Sequence, residues 1–287
     1  MAHNVHNIGM YYGGSSGNNK HNLVTRIDAS GVKVGDETNA GTARAYLAGT
    51  GIGNVGVYYG GSDNNELNLV TIIDSDGSTV GSETATGTAR YFLAGAGVGN
   101  IGVYYGGFDG DILDIVTRIN ASGTKIGDEI TVGAYYRDSL AGAGVGNIGI
   151  YYGGFDGDIL NIVTILDASG VIVGSEVTVG TARQFLAGAG IGNIGIFYGG
   201  NDDNEHNRVT RIDANGVMVG NETIVDTARQ LLAGASVNNI GIFYGGYDGS
   251  GGSNVLNTVT RIDDSGVRVG DETSVGTARD GLAGAGI

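Results

Sequence analysis

One phrase recurs along this chain at an almost constant interval. Asn-Ile/Val-Gly-x-Tyr/Phe-Tyr-Gly-Gly begins at Asn7, Asn54, Asn100, Asn147, Asn193 and Asn239, at spacings of 47, 46, 47, 46 and 46 residues. A period of that length marks one supersecondary unit that cannot bury its apolar face alone and must stack against copies of itself. Six such units use up the 287 residues, with no linker or shift in composition between them. The chain therefore reads as one domain, residues 1–287, with repeat units beginning near 7, 54, 100, 147, 193 and 239.

Within a unit the pattern is that of short strands and tight turns. In the third copy, Leu93 to Ala96 reads as a first strand, and Gly97-Val98-Gly99-Asn100 as a turn. Ile101 to Tyr105 follows as a second strand ending in Gly106-Gly107, and a polar loop leads to a third, Ile115 to Ile119. The turn Asn120-Ala121-Ser122-Gly123 then leads to a fourth strand centred on Lys125-Ile126-Gly127. Runs of Val, Ile, Thr and Tyr bounded by Gly, Asn, Asp and Ser are strand and turn signals, and no segment sustains a helical period. Four antiparallel strands at this spacing predict an all-β, six-bladed β-propeller. Leucine-rich and ankyrin repeats are shorter or contain helices. The Gly-Phe-Asp-Gly-Asp run at Gly154 to Asp158 resembles a calcium-binding β-roll motif, but it recurs only once per unit instead of about every nine residues.

The chain stops on a first strand, Leu282 to Gly286, and starts on a second, Ile8 to Tyr12. Pairing residues 282–286 with 8–12 would close the ring, whereas an open solenoid needs atypical capping units. This arrangement also gives the 57 glycines a place: axis-lining strands, turns and the doublets where blades approach closely. Collagen is excluded because glycine is not at every third position and proline is absent. Disorder does not fit a chain with 41% hydrophobic and 16% charged residues. Without cysteine there are no disulfides, thiolate metal sites or cysteine nucleophiles. A net charge of −15 argues against nucleic acid or an anionic membrane as partner. No apolar run spans a bilayer, and the first residues lack a basic, then apolar, leader pattern.

The Gly-Gly doublets (Gly13-Gly14, Gly60-Gly61, Gly106-Gly107, Gly153-Gly154, Gly199-Gly200 and Gly245-Gly246) follow an apolar-aromatic strand. With the apolar third strand and the Thr-Ala-Arg linker, they make each unit resemble the kelch repeat. Where kelch repeats carry a fourth-strand tryptophan this chain has Val34, Val80, Ile126, Val173, Val219 and Val269. The Trp-free style is similar to the kelch-like repeat proteins of tailed phages. That likeness implies a virion protein, and a localisation in the virion or the cytoplasm. The copper chemistry of some kelch-fold oxidases needs a cysteine that this chain lacks.

Recognisable reaction chemistry is sparse. His21 and His206 occupy one repeat column on non-adjacent units and read as structural or solvated, while His3 and His6 lie at the terminus. Asp109, Asp111 and Asp114, and Asp156 and Asp158, are dense but lack the EF-hand loop and its closing glutamate, so they read as solvated loop carboxylates. No Gly-x-Ser-x-Gly nucleophile elbow or phosphate-binding glycine loop is present. No metal or cofactor is expected. One glutamate (Glu37, Glu83, Glu129, Glu176, Glu222, Glu272) and one linker arginine (Arg44, Arg90, Arg137, Arg183, Arg229, Arg279) recur per unit. Six equivalent copies point to a structural ion pair, or to arginines tying linkers to backbone carbonyls, and not to a catalytic centre.

Strand direction places the second-to-third loops and the fourth-to-first linkers at one end of every blade. The tight turns at the other end are nearly uniform, while this end varies and carries aromatic residues. A constant scaffold with one variable face is the layout of a loop-borne binding surface. Tyr46, Tyr91, Phe92, Phe108, Phe155, Phe185 and Tyr247 are its anchor candidates. The expected function is a non-enzymatic binding or structural module, such as a phage fibre, decoration or receptor-binding component, with a protein or glycan partner and capable of assembly into a larger particle. The alternative is a multivalent carbohydrate-binding propeller.

Overall fold

The computed structural model describes residues 7–132, 135–249 and 254–287. Six antiparallel sheets form a ring, each running from an inner strand at the axis to a short outer strand. Blade 3 is typical, with strands Ala94–Val98, Ile101–Tyr105, Ile115–Asn120 and Ile130–Thr131. Blade 1 is assembled from both ends of the chain. Its inner strand is Asp280–Gly286, which pairs with Ile8–Ser16 in the register Gly9 to Gly286 through Gly13 to Leu282. The predicted closure is therefore present. A small extra strand, Asn19–Lys20, folds back on the same sheet.

The outer strand differs from the expectation. Lys125 makes only an isolated bridge with Ile119, and the strand proper is the two-residue Ile130–Thr131, beyond Gly127. Gly127 takes φ +65° and breaks the ladder between the two pairings.

Inner strands meet neighbours through glycine. A Cβ on Gly95 would stand 3.0 Å from the Gly49 carbonyl oxygen of blade 2, and one on Gly190 would overlap the Gly144 carbonyl of blade 4. Between these glycines, small alanines face the next blade, as Ala143 does against Gly195.

Farther from the axis the blades are joined by aromatic rings. Each second strand carries two of them, all fully buried: Tyr11-Tyr12, Tyr58-Tyr59, Tyr104-Tyr105, Tyr151-Tyr152, Phe197-Tyr198 and Phe243-Tyr244. The second ring of each blade meets the first ring of the next edge to face, 5.2–5.5 Å between centroids, from Tyr12–Tyr58 round to Tyr244–Tyr11. Each such pair adds about 1 kcal/mol beyond the area it buries. Tyrosine hydroxyls complete the join, as Tyr104 donates to the Val57 carbonyl of blade 2 and Tyr59 to the Thr88 carbonyl of the linker.

Candidate functional site: the axial mouth

The linker arginines are wholly buried. Arg44 shows the arrangement: its guanidinium lies 5.3 Å from the centre of the Tyr12 ring in blade 1. It donates to Thr71 Oγ1 (2.8 Å) and Glu83 Oε1 (2.9 Å) in blade 2. The glutamate is thus that of the following blade, not Glu37 in the arginine's own unit. The Thr42 hydroxyl also donates to Glu83 (2.6 Å), as does that of Thr71. Burial pushes the Glu83 carboxyl up, but the Thr42 and Thr71 hydroxyls, the Thr42 N–H and the Arg44 charge outweigh it and hold it below its ordinary value. Glu37, Glu129 and Glu222 are held down in the same way.

Three linkers depart from this pattern. In the linker to blade 5, Arg183 donates Nη1 to the Gly199 and Arg208 carbonyls and stands 3.6 Å from Glu222. In the linker to blade 4 the Thr-Ala pair is replaced by Tyr135-Tyr136, both exposed, and Arg137 stands 3.8 Å from Glu176. In the linker to blade 6, Asp226 occupies a place that is glycine at Gly41, Gly87, Gly180 and Gly276, and it takes φ +38°. A Cβ on Gly87, Gly180 or Gly276 would come within 2.6–2.7 Å of the glutamate that the linker meets, Glu129, Glu222 or Glu37. Here Glu272 keeps the hydroxyl bonds of Thr227 and Thr260, but Arg229 has no carboxylate within 4.0 Å and bonds to Thr260 Oγ1 and the Thr258 and Phe243 carbonyls.

Two residues after each buried arginine, the chain turns into the axis. Tyr46, Phe92, Ser139, Phe185, Leu231 and Gly281 all take left-handed conformations, φ 55–60°. Each N–H donates to the carbonyl of the preceding member: Phe92 to Tyr46, Ser139 to Phe92, Phe185 to Ser139, Leu231 to Phe185 and Gly281 to Leu231 at 2.8–2.9 Å. Tyr46 closes the circle by donating to Gly281 at 2.6 Å. The backbone strain, about 1 kcal/mol or more for each non-glycine member, is held by this hydrogen-bonded hoop. Its side chains and the leucines below them, Leu47 to Leu282, line the mouth of the axis.

Three of the seven anchor candidates, Tyr46, Phe92 and Phe185, belong to this hoop. Phe92 is 4.6 Å from Tyr46 and, reaching past Ser139, 5.3 Å from Phe185. Tyr91 adds a ring 4.8 Å from Phe92 and 5.6 Å from Phe108, its cross-strand partner. Five candidates thus form one continuous aromatic array across blades 2, 3 and 5. Phe155 and Tyr247 stand outside it, bridged by backbone to Asp138 and Gln230. Sequence reasoning did not single out Tyr135 and Tyr136, although their break with the Thr-Ala pattern was a readable signal.

The histidines do not converge on one site. His21 Nε2 is 2.8 Å from Ser16 Oγ, and His206 Nε2 is 2.8 Å from Asp202 Oδ1. His3 and His6 lie outside the described residues. Asp109 and Asp156 each accept the N–H of the residue two places on, in turns open to solvent. A scan against protein-family models and a search of curated proteins returned no match to this chain.

Proposed function

We propose that this protein is a non-enzymatic binding module that engages its partner through the axial mouth and the loops around it. The carrying observation is the five-ring array Tyr46–Phe92–Tyr91–Phe108 with Phe185, held on a hydrogen-bonded hoop. Half-buried aromatics on a rigid frame supply contact area at small entropic cost, as binding hot spots do. The finer reading, a component of a phage virion, rests on repeat style, and flanking tail or capsid genes would support it where a host metabolic operon would remove it.

The experiment is a screen of a peptide array and a glycan array with the wild-type protein and with Tyr91→Ala/Phe108→Ala. Both rings sit outside the hoop, so the variant keeps its fold. Binders lost in the variant support the mouth as the site, and binders retained at full strength remove it. Glycan binders with several sites per chain would favour the lectin reading. The departures among blades argue otherwise, because Phe108 and Phe155 are matched by Ser15, Ser62 and Asn201.

A further inference from the structure

Cations are divided unevenly between the two ends of the ring, while carboxylates occur at both. The six second-to-third loops at the mouth carry ten carboxylates and one basic residue, Lys20. Of the other fourteen cations, six are the buried linker arginines and eight lie on the third strands or the segments after them. Arg208 opens the third strand of blade 5 and stands 3.7 Å from Glu222, and the other seven, such as Arg118 and Lys125, lie towards the tight-turn end. The mouth is thus an acidic surface with an aromatic centre.

Its rim holds two equivalent carboxylates on opposite sides of the ring. Asp280 on blade 1 and Asp138 on blade 4 immediately follow the buried arginines Arg279 and Arg137. Asp280 is provided for: it accepts from Ser15 Oγ (2.5 Å), and the Lys20 ammonium lies near enough to favour its charge. That ammonium is poised 4.9 Å from the centre of the Tyr46 ring, so the protein's own lysine shows how a cation sits at this rim.

Asp138 has no such counter-ion among the described residues. It is only 8% exposed, Oδ1 accepts from Ser139 Oγ (2.6 Å), and Oδ2 has no hydrogen-bond partner among the described residues. Burial pushes its pKa up, with only the Ser139 hydrogen bond opposing. Phe155 is its cross-strand neighbour, in the register that sets Tyr91 against Phe108. Tyr91 is close enough for the Asp138 charge to help raise its hydroxyl pKa, after burial and Glu66. The flanking loops contribute Asp109, Asp111, Asp156 and Asp158, all exposed.

We infer that the mouth over blades 3 and 4 docks a lysine-bearing segment of a partner protein, one ammonium group meeting Asp138 Oδ2 beside Phe155 and Tyr91 as Lys20 meets Tyr46 and Asp280. The inference rests on the mouth being the binding face and adds the chemistry of what binds there. A protein segment fits better than a small amine because the carboxylates extend over two loops beyond the Asp138 pocket. Charge of this kind guides association and selects among partners, and its effect is weakened by salt.

The test uses a fluorescent, glycine/serine-spaced peptide with four lysines, and its fully Nε-acetylated counterpart, in anisotropy titrations at near-physiological ionic strength. The charged peptide should bind and the acetylated one should not. Asp138→Asn, which keeps the acceptor for Ser139, should weaken binding roughly tenfold or more. Asp156→Asn/Asp158→Asn should also weaken it. Asp76→Asn/Asp264→Asn, which removes equal charge from the tight-turn end, should not. Equal losses in the two double variants, or an unchanged Asp138→Asn, would overturn the inference, since net charge alone would then account for binding. Spermidine binding as tightly as the peptide would overturn the choice of a protein partner. If the arrays yield only neutral or acidic binders that depend on Tyr91 and Phe108, the mouth stands as a binding face and this inference falls.

Discussion

Arg44 and Glu83 are 39 residues apart in the chain and 2.9 Å apart in space, on opposite sides of the seam between blades 1 and 2. With the Tyr12 ring beneath the guanidinium and Thr42 and Thr71 on the carboxylate, the pair ties a linker to the blade it enters. Removing one member of such a pair costs more than the pair contributes, because it strands a buried charge.

Glu83→Gln should therefore destabilise the protein by on the order of 3 kcal/mol. Glu272→Gln should cost clearly less, since Arg229 already lacks a carboxylate partner. Denaturant titration of the two variants checks the difference, and equal losses would show that the ion pair to the arginine contributes little.

Asp226→Gly should stabilise the protein. It relieves a left-handed backbone on a non-glycine residue and removes a carboxylate that crowds Glu272. Against this it loses the ion pair with Arg268, which is partly exposed and worth well under about 1 kcal/mol. A net gain of about 1 kcal/mol is expected, read as a shift in the unfolding midpoint.

Stability should fall in acid. Glu37, Glu83, Glu129 and Glu222 have carboxyls held below their ordinary values, so each contributes fully above the unfolded carboxylate pKa, near 4.5. That contribution is lost as pH drops through the lower folded value. Asp138 and Asp280 act in the opposite sense: burial raises both, so their ionisation opposes folding from the unfolded aspartate pKa, near 3.8, upward. Unfolding titrations between pH 3 and 7 should show wild type weakening below about pH 4.5, with Asp138→Asn more stable than wild type at neutral pH.

Around the axis, Gly190→Ala should be far more damaging than Gly95→Ala. The first drives a methyl group into the Gly144 carbonyl, whereas the second meets the Gly49 oxygen at 3.0 Å, which a small shift can relieve. Backbone carbonyls held in a closed ring cannot move aside singly, so a loss of about 3 kcal/mol or more is expected for Gly190→Ala. Thermal unfolding of the two variants decides the order.

Deleting residues 282–287 removes the strand that pairs with Gly9 to Gly13 and exposes the second strand of blade 1 as an edge. Aggregation or outright unfolding is expected in light scattering, and a stable monomer would show that closure contributes little.

The period of 46 or 47 residues, the Tyr-Tyr-Gly-Gly phrase and the complementary chain ends were enough to determine six blades, their strand order and the closure, because these follow from local patterning repeated without interruption. The small residues of the inner strands could likewise be read as axis-lining. The partner of each arginine could not. Glu37 is the nearer in sequence to Arg44, and only the stacking of blades brings Glu83 closer. Nor could the sequence place the outer strand, where a single bridge at Lys125 gives way past Gly127 to Ile130–Thr131. The aromatic end was legible as a variable face. That five of its rings touch, that Phe92 reaches Phe185 across the small Ser139, and that Asp138 is buried there with no counter-ion among the described residues were decided by the closed ring. A hoop of left-handed residues joined from blade to blade is a property of the closed ring, and no single repeat contains the information to form it.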